Sequence, residues 1–146
     1  SELLKKKLKT ARSVLYLGDN AGEIIFDKIF INVLNHSGLI YVVRGGPILN
    51  DATIKDAELV NMKEVAGVIS NGYDAPSTIL EKSSKEFQEY FREADIIISK
   101  GQGNLEGLVG LNDPRIFFLL MVKCDVFSDF FKVEKNSLIV YNPSVS

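Results

Sequence analysis

The chain has 146 residues, 46% of them apolar and 25% charged, with a net charge of −2 and a pI near 5.5. That is material for one ordinary domain with a real core, and it excludes a disordered or fibrous chain. The charge carries no basic stripe of the kind that nucleic-acid binding needs. The longest purely apolar run, Ile116 to Val122, is far short of the roughly 20 residues that span a bilayer. A single cysteine, Cys124, has no internal disulfide partner and fits a reducing compartment. The N-terminus shows no charged region followed by a cleavable apolar core. The expectation is a soluble, cytoplasmic protein with neither nucleic acid nor membrane as partner.

Along the chain, short β-branched runs alternate with longer helical patterns. Residues 1–12 read as a helix whose Lys5-Lys6-Lys7 run wets one face. Ser13–Leu17 reads as a strand, and Ala21–Leu34 as a helix with apolar Ile24, Ile25, Ile29, Phe30, Val33 and Leu34. Asn35 to Gly38 supplies helix-stop chemistry. Leu39–Val43 is the next strand, and Asp51 or Thr53 can cap a helix running to about Met62. Val65–Ile69 is a third strand that ends in the turn signal Asn71-Gly72. A helical stretch is expected to start at Pro76 to Leu80, and Ser83-Ser84-Lys85-Glu86 reads as a fresh N-cap for an amphipathic helix to Ala94, marked by Phe87, Tyr90 and Phe91. Ile96–Ser99 is a fourth strand, Asn104–Val109 a short helix broken by Gly107 and Gly110, and Ile116–Val122 a fifth strand. Asp125–Phe131 then reads as a helix and Leu138–Tyr141 as a sixth strand. This alternation predicts a three-layer α/β/α domain over residues 13–146, built on an open, mostly parallel sheet.

Three strands run directly into glycine with charged or amide side chains: Gly18-Asp19-Asn20-Ala21-Gly22-Glu23, Arg44-Gly45-Gly46-Pro47-Ile48-Leu49-Asn50-Asp51, and Lys100-Gly101-Gln102-Gly103-Asn104. The carboxyl edge of such a sheet is where ligands bind. Asp19 and Asn20 offer oxygen donors without Cys or His, which suits Mg²⁺ or Mn²⁺ better than zinc. Asp51 joins them if the first two strands are neighbours. Arg44 and Lys100 are placed to neutralise a phosphate. Gly22, at a helix N-terminus, and Gly45, Gly46, Gly101 and Gly103 would let backbone N–H groups approach the anion. Each motif also has a plain reading: Asp19 and Asp51 as helix caps, Arg44 and Lys100 as surface residues. The run Gly101-Gln102-Gly103 further admits a dinucleotide site, although its spacing is not G-x-G-x-x-G. His36 reads as a helix-end residue and Cys124 as an inert thiol.

Taken in order, and with Asn71-Gly72 between them, these motifs resemble the damage-control phosphatase family, long a domain of unknown function. One branch of it has been described as an acidic-residue methyltransferase. The resemblance covers about Ser13 to Tyr141. It implies metal-dependent hydrolysis of small phosphomonoesters, such as sugar phosphates or damaged phosphorylated metabolites, with Co²⁺, Ni²⁺, Mn²⁺ or Mg²⁺ as cofactor. It implies Asp19, Asn20 and Asp51 as metal ligands, and Lys100 and Asn104 as lining of the phosphate and substrate pocket. The candidate catalytic residues are thus Asp19, Asp51 and Lys100, and Arg44, Lys100, Asn104, Gly22 and Gly101 are the candidate phosphate-binding residues. Family members carry a helical region before the first motif where this chain has only Ser1–Arg12, so that region is an expected partner of the domain. Two departures from a phosphatase stay open: a carboxyl methyltransferase using S-adenosylmethionine, and a non-catalytic metal-binding or dinucleotide-binding module.

Overall fold

The computed structural model describes residues 1–145. Strands lie at Val14–Leu17 (β1), Leu39–Val43 (β2), Gly67–Ser70 (β3), Ile96–Lys100 (β4), Ile116–Met121 (β5) and Leu138–Tyr141 (β6). Helices lie at Glu2–Leu8 (α1), Ile24–Leu34 (α2), Ile54–Leu59 (α3), Lys85–Glu93 (α4), Gln102–Leu108 (α5) and Asp125–Phe131 (α6). The sheet order is β3-β2-β1-β4-β5-β6. Strands β1 to β5 pair in parallel, and only β6 runs antiparallel, against β5. The three-layer, mostly parallel sheet expected from the sequence is therefore the fold. Among the described residues no helix is long and apolar enough to cross a membrane.

Both faces of the sheet are covered, so the central strands are near-continuous apolar runs rather than alternating. On one face Leu4, Ile24, Ile31, Ala57 and Met62 pack over Val14, Tyr16, Tyr41, Ile98 and Phe117. On the other, Phe87, Phe91, Leu105 and Leu108 pack over Leu15, Leu17, Val42, Ile97 and Phe118. The chain leaves β1 toward β2 and returns to β4 on the opposite side of β1. The connections after β1 and β4 therefore diverge and open a crevice between them, the place where such sheets bind ligands.

The structure corrects several element boundaries. A single 3-10 turn, Ala21–Glu23, precedes α2. The inward residues of α2 are Ile24, Asp27 and Ile31, whereas Ile25, Ile29 and Val33 stand on the solvent side, 57, 57 and 75% exposed. The expected apolar face was wrong because an acidic residue, Asp27, occupies the centre of the inward face. Helix α3 begins at the Thr53 capping box, where Asp56 accepts from the Thr53 N–H, and it stops at Leu59; Asn61 then takes a left-handed conformation. Helix α5 starts earlier than expected and runs unbroken through Gly107.

No helix forms from Pro76 to Ile79, and only Leu80–Lys82 makes a 3-10 turn. This segment lies across α5, with the carbonyls of Pro76 and Thr78 where a Cβ on Gly103 or Gly107 would have to sit. The two glycines let backbone lie directly on helix, which turns the Thr78 hydroxyl inward.

Candidate functional site

The site is assembled by backbone before any side chain is considered. Beyond the ends of β1 and β2, Asn20 and Asp51 form an antiparallel bridge. The Ala21 N–H donates to the Asn50 carbonyl at 2.7 Å, and the Ala52 N–H donates to the Asp19 carbonyl at 2.8 Å. The Arg44 N–H donates to the Ala52 carbonyl at 3.0 Å. The strip 50–52 is thereby held between the two strand ends, and Asp19, Asn20 and Asp51 come together with Arg44.

Arg44 is buried, with 3% of its side chain exposed. Its Nε donates to Asp51 Oδ2 at 2.8 Å and its Nη1 to the Thr78 hydroxyl at 3.0 Å. Its Nη2 has no hydrogen-bond partner and lies 3.9 Å from Asp19 Oδ1. Arg44 is thus committed to the carboxylates instead of standing open to an incoming anion. Thr78 passes the network on, donating to Asn104 Oδ1 at 2.7 Å. Asn104, expected in the pocket wall, is fully buried beneath the site. Its amide donates to the Gly18 and Lys100 carbonyls at 3.2 and 2.8 Å, tying the end of β1 to the end of β4.

Three of the glycines expected to cradle an anion have their N–H groups engaged within the chain. The Gly22 N–H is given to Asn20 Oδ1 at 2.7 Å, the Gly101 N–H to the Leu119 carbonyl, and the Gly45 N–H to the Tyr73 carbonyl. Gly103 seats the Pro76 backbone. Gly101 does something else: its φ is +85°, and a Cβ there would overlap the Asp19 carboxylate. The Asp19 carboxylate therefore lies directly against the first glycine of this loop.

Lys100, at the end of β4, donates to Asp27 Oδ1 at 3.0 Å and to Glu23 Oε2 at 3.2 Å. Burial pulls its pKa down, but the charge and hydrogen bond of Asp27, with Glu23 behind them, more than offset this. The net shift is upward and the ammonium stays charged. A cleft of about 760 Å³ opens here, with Asp19, Glu23, Lys100, Gly101 and Lys123 on one side. Phe26, Leu119, Met121, Leu138 and Val140 form its apolar wall.

Two charged groups at this place escaped the sequence reading. Lys123 lies just beyond the end of β5, as Lys100 lies at the end of β4, but no glycine follows it to mark the strand end. Asp27 gave no such signal, because it sits within a helix.

The chemistry of the oxygen donors fits a hard divalent cation. The Asp19 carboxylate, 23% exposed, accepts no hydrogen bond from the described residues. Burial first, and then the charge of Asp51, raise its pKa to about 6, against the opposing influence of Arg44. Asn20 Oδ1 keeps a second lone pair beyond its bond to Gly22, and Asp51 has one oxygen not used by Arg44. Among the described residues no three His, Cys, Asp or Glu side chains gather elsewhere or here, so the set is two carboxylates and an amide, an all-oxygen site.

Residues 1–139 match the family described as the damage-control phosphatase ARMT1-like domain. Damage-control phosphatase PH1575 of Pyrococcus horikoshii is 41% identical over 142 residues, covering 95% of this chain and 50% of that protein. A damage-control phosphatase of Archaeoglobus fulgidus is 39% identical over 123 residues, covering 82% of this chain and 42% of that protein. The crystal structure of the DUF89 family protein from P. horikoshii superimposes with a TM-score of 0.92 at 39% identity, over 98% of this chain and 51% of that one. The chain spans about half the length of the curated relatives it matches.

Proposed function

Since this chain belongs to the damage-control phosphatase ARMT1-like family, we propose that it carries the site of a metal-dependent phosphatase acting on small phosphomonoesters, such as sugar phosphates or damaged phosphorylated metabolites. The observation that carries this reading is the convergence of Asp19, Asn20 and Asp51, through the bridge between strand ends, beside a cleft that also presents Lys100. Asp19, Asn20 and Asp51 would hold Mn²⁺, Co²⁺, Ni²⁺ or Mg²⁺, and the ion would supply a Lewis acid for a phosphoryl oxygen.

The chain's own groups divide the remaining work. Lys100 and Lys123, on the same cleft, offset the charge that the phosphoryl oxygens carry through the transition state. Arg44 holds Asp51 in place through its Nε and keeps the two carboxylates from repelling one another. Asp51 accepts a hydrogen bond from Arg44, whereas Asp19 accepts none from the described residues and has only the more distant Arg44 Nη2 at 3.9 Å, so Asp19 is the carboxylate free to orient the attacking water. The apolar wall at Phe26, Leu119 and Val140 limits the water around the reacting group.

Phosphate release from a panel of sugar phosphates and p-nitrophenyl phosphate tests this reading, first in EDTA and then with each of the four cations added. Turnover that requires the cation and is absent from Asp19→Ala is expected. The stereochemical course at a chirally isotope-labelled phosphoryl group distinguishes the water route from direct attack by an Asp. One in-line displacement by water inverts phosphorus, whereas two successive displacements through an aspartyl phosphate retain its configuration, and retention would overturn the water route.

A further inference from the structure

We infer that Asp27 is a positioning residue for Lys100, fixing where the ammonium is presented to a phosphate; the inference rests on the phosphatase reading above. Asp27 is 1% exposed, on the inward side of a helix among Ile24 and Ile31. A carboxylate so placed persists only if its oxygens are fully engaged, and they are. Oδ1 accepts from the Tyr16 hydroxyl at 2.7 Å and from Lys100 Nζ at 3.0 Å, and Oδ2 accepts from the Tyr41 hydroxyl at 3.1 Å.

Four elements share in this arrangement. Tyr16 on β1 and Tyr41 on β2 are register partners, with rings 5.5 Å apart. The Tyr41 hydroxyl occupies the space that a Cβ on Gly18 would fill, so the residue just before Asp19 is shaped by the same cluster. The carboxylate of α2 is therefore clamped by two strands, and it in turn clamps the lysine of a third.

The second partner of Lys100 differs in kind. Glu23 stands at the rim with 46% of its side chain exposed, against 1% for Asp27. An anion entering the cleft can displace a half-exposed glutamate from the ammonium, but not a buried aspartate held by two tyrosines. Asp27 thus acts as the fixed anchor and Glu23 as the exchangeable counter-ion. A long lysine side chain otherwise disperses over many rotamers, and the anchor removes that freedom before phosphate arrives.

The test is a double-mutant cycle on inorganic phosphate binding, followed by ³¹P NMR, in wild type, Asp27→Asn, Lys100→Ala and the double variant, with the Lys100 ammonium resonance observed in parallel. Asp27→Asn and Lys100→Ala should each weaken phosphate about tenfold, as expected for loss of one charge-assisted hydrogen bond. The double variant should be no weaker than Lys100→Ala, and the Lys100 resonance, protected in wild type, should join the exposed lysines in Asp27→Asn.

Additive losses, an unchanged Lys100 resonance, or equal or tighter phosphate binding in Asp27→Asn would overturn the inference. If Asp27→Asn does not fold, Tyr41→Phe replaces it: it should weaken phosphate severalfold only while Lys100 is present, and a loss that persists in Lys100→Ala counts against the anchor. Should wild type neither bind phosphate nor hydrolyse any phosphomonoester, the phosphatase reading and the phosphate role fall together. The lysine resonance would then still decide whether Asp27 anchors Lys100.

Discussion

Asn20 and Asp51 face one another across an antiparallel bridge that lies just outside a parallel sheet. Neither strand could deliver both residues: β1 ends at Leu17 and β2 at Val43. The chain leaves β2, turns through a loop and returns antiparallel to the residues after β1. Two backbone hydrogen bonds close the bridge and bring the second carboxylate to the first.

Asp19 is costly to the protein without a cation. Its folded pKa stands near 6 against an ordinary 3.8, so ionisation at pH 7 opposes folding. At about 1.4 kcal/mol per pKa unit, and allowing for its partial exposure, Asp19→Asn should stabilise the cation-free protein by about 2 kcal/mol. That corresponds to several degrees in Tm for a domain of this size. The same variant should lose turnover and the rise in Tm that Mn²⁺ gives the wild type. Differential scanning calorimetry with and without Mn²⁺ reads both effects.

The sign of the pH dependence follows from the same group. A folded pKa above the unfolded one means that its contribution to stability is full below about pH 3.8 and is lost as pH rises through about 6. Cation binding has the opposite trend, because a proton on Asp19 competes with the ion. Mn²⁺ affinity by isothermal titration calorimetry should therefore fall as pH drops from 7 to 5, and an affinity that stays constant over that range would show that Asp19 is not a ligand.

Gly101→Ala should be severe for a reason unrelated to anion binding. The residue has φ +85°, and its added methyl would overlap the Asp19 carboxylate. Strain at such a φ alone costs about 1–2 kcal/mol, and displacement of the carboxylate should reduce Mn²⁺ affinity by more than tenfold, comparable to loss of a ligand. Metal titration of the folded variant checks this, and wild-type affinity would show that Asp19 is not held by this loop.

Lys123 is exposed and makes no hydrogen bond or ion pair among the described residues, yet it lines the cleft and its charge reaches Asp19. Lys123→Ala should leave Tm within about 1 °C, as surface changes do, while kcat/KM for phosphomonoesters drops about tenfold through loss of one cationic contact. Steady-state kinetics beside a thermal melt separates the two.

The strands and their charged ends were legible because a buried parallel strand is a short β-branched run and a glycine marks where it stops. Asp19, Asn20, Asp51 and Lys100 could be found by that rule, whereas Lys123 follows a strand that no glycine closes. What stayed hidden depends on contacts between distant segments. Asp27 interrupts the apolar pattern of α2, so periodicity turned Ile25, Ile29 and Val33 inward when the tyrosine pair had claimed that face for a carboxylate. Arg44 looked like a phosphate ligand because nothing local reveals that Asp51 and Thr78 engage it. Asn104 looked like pocket lining, but its amide is consumed in joining β1 to β4. The Pro76–Ile79 segment read as helix because the glycines that seat it lie more than twenty residues further along.

The central claim is that the Asp19–Asn20–Asp51 cluster holds a cation that phosphomonoester hydrolysis requires. The most direct measurement is phosphate release by chelated protein as Mn²⁺ is returned stepwise, in wild type and Asp51→Ala. The account predicts no turnover without the ion, recovery that saturates near one equivalent in wild type, and no recovery in Asp51→Ala. Hydrolysis that persists in EDTA, or that recovers equally in Asp51→Ala, would contradict it.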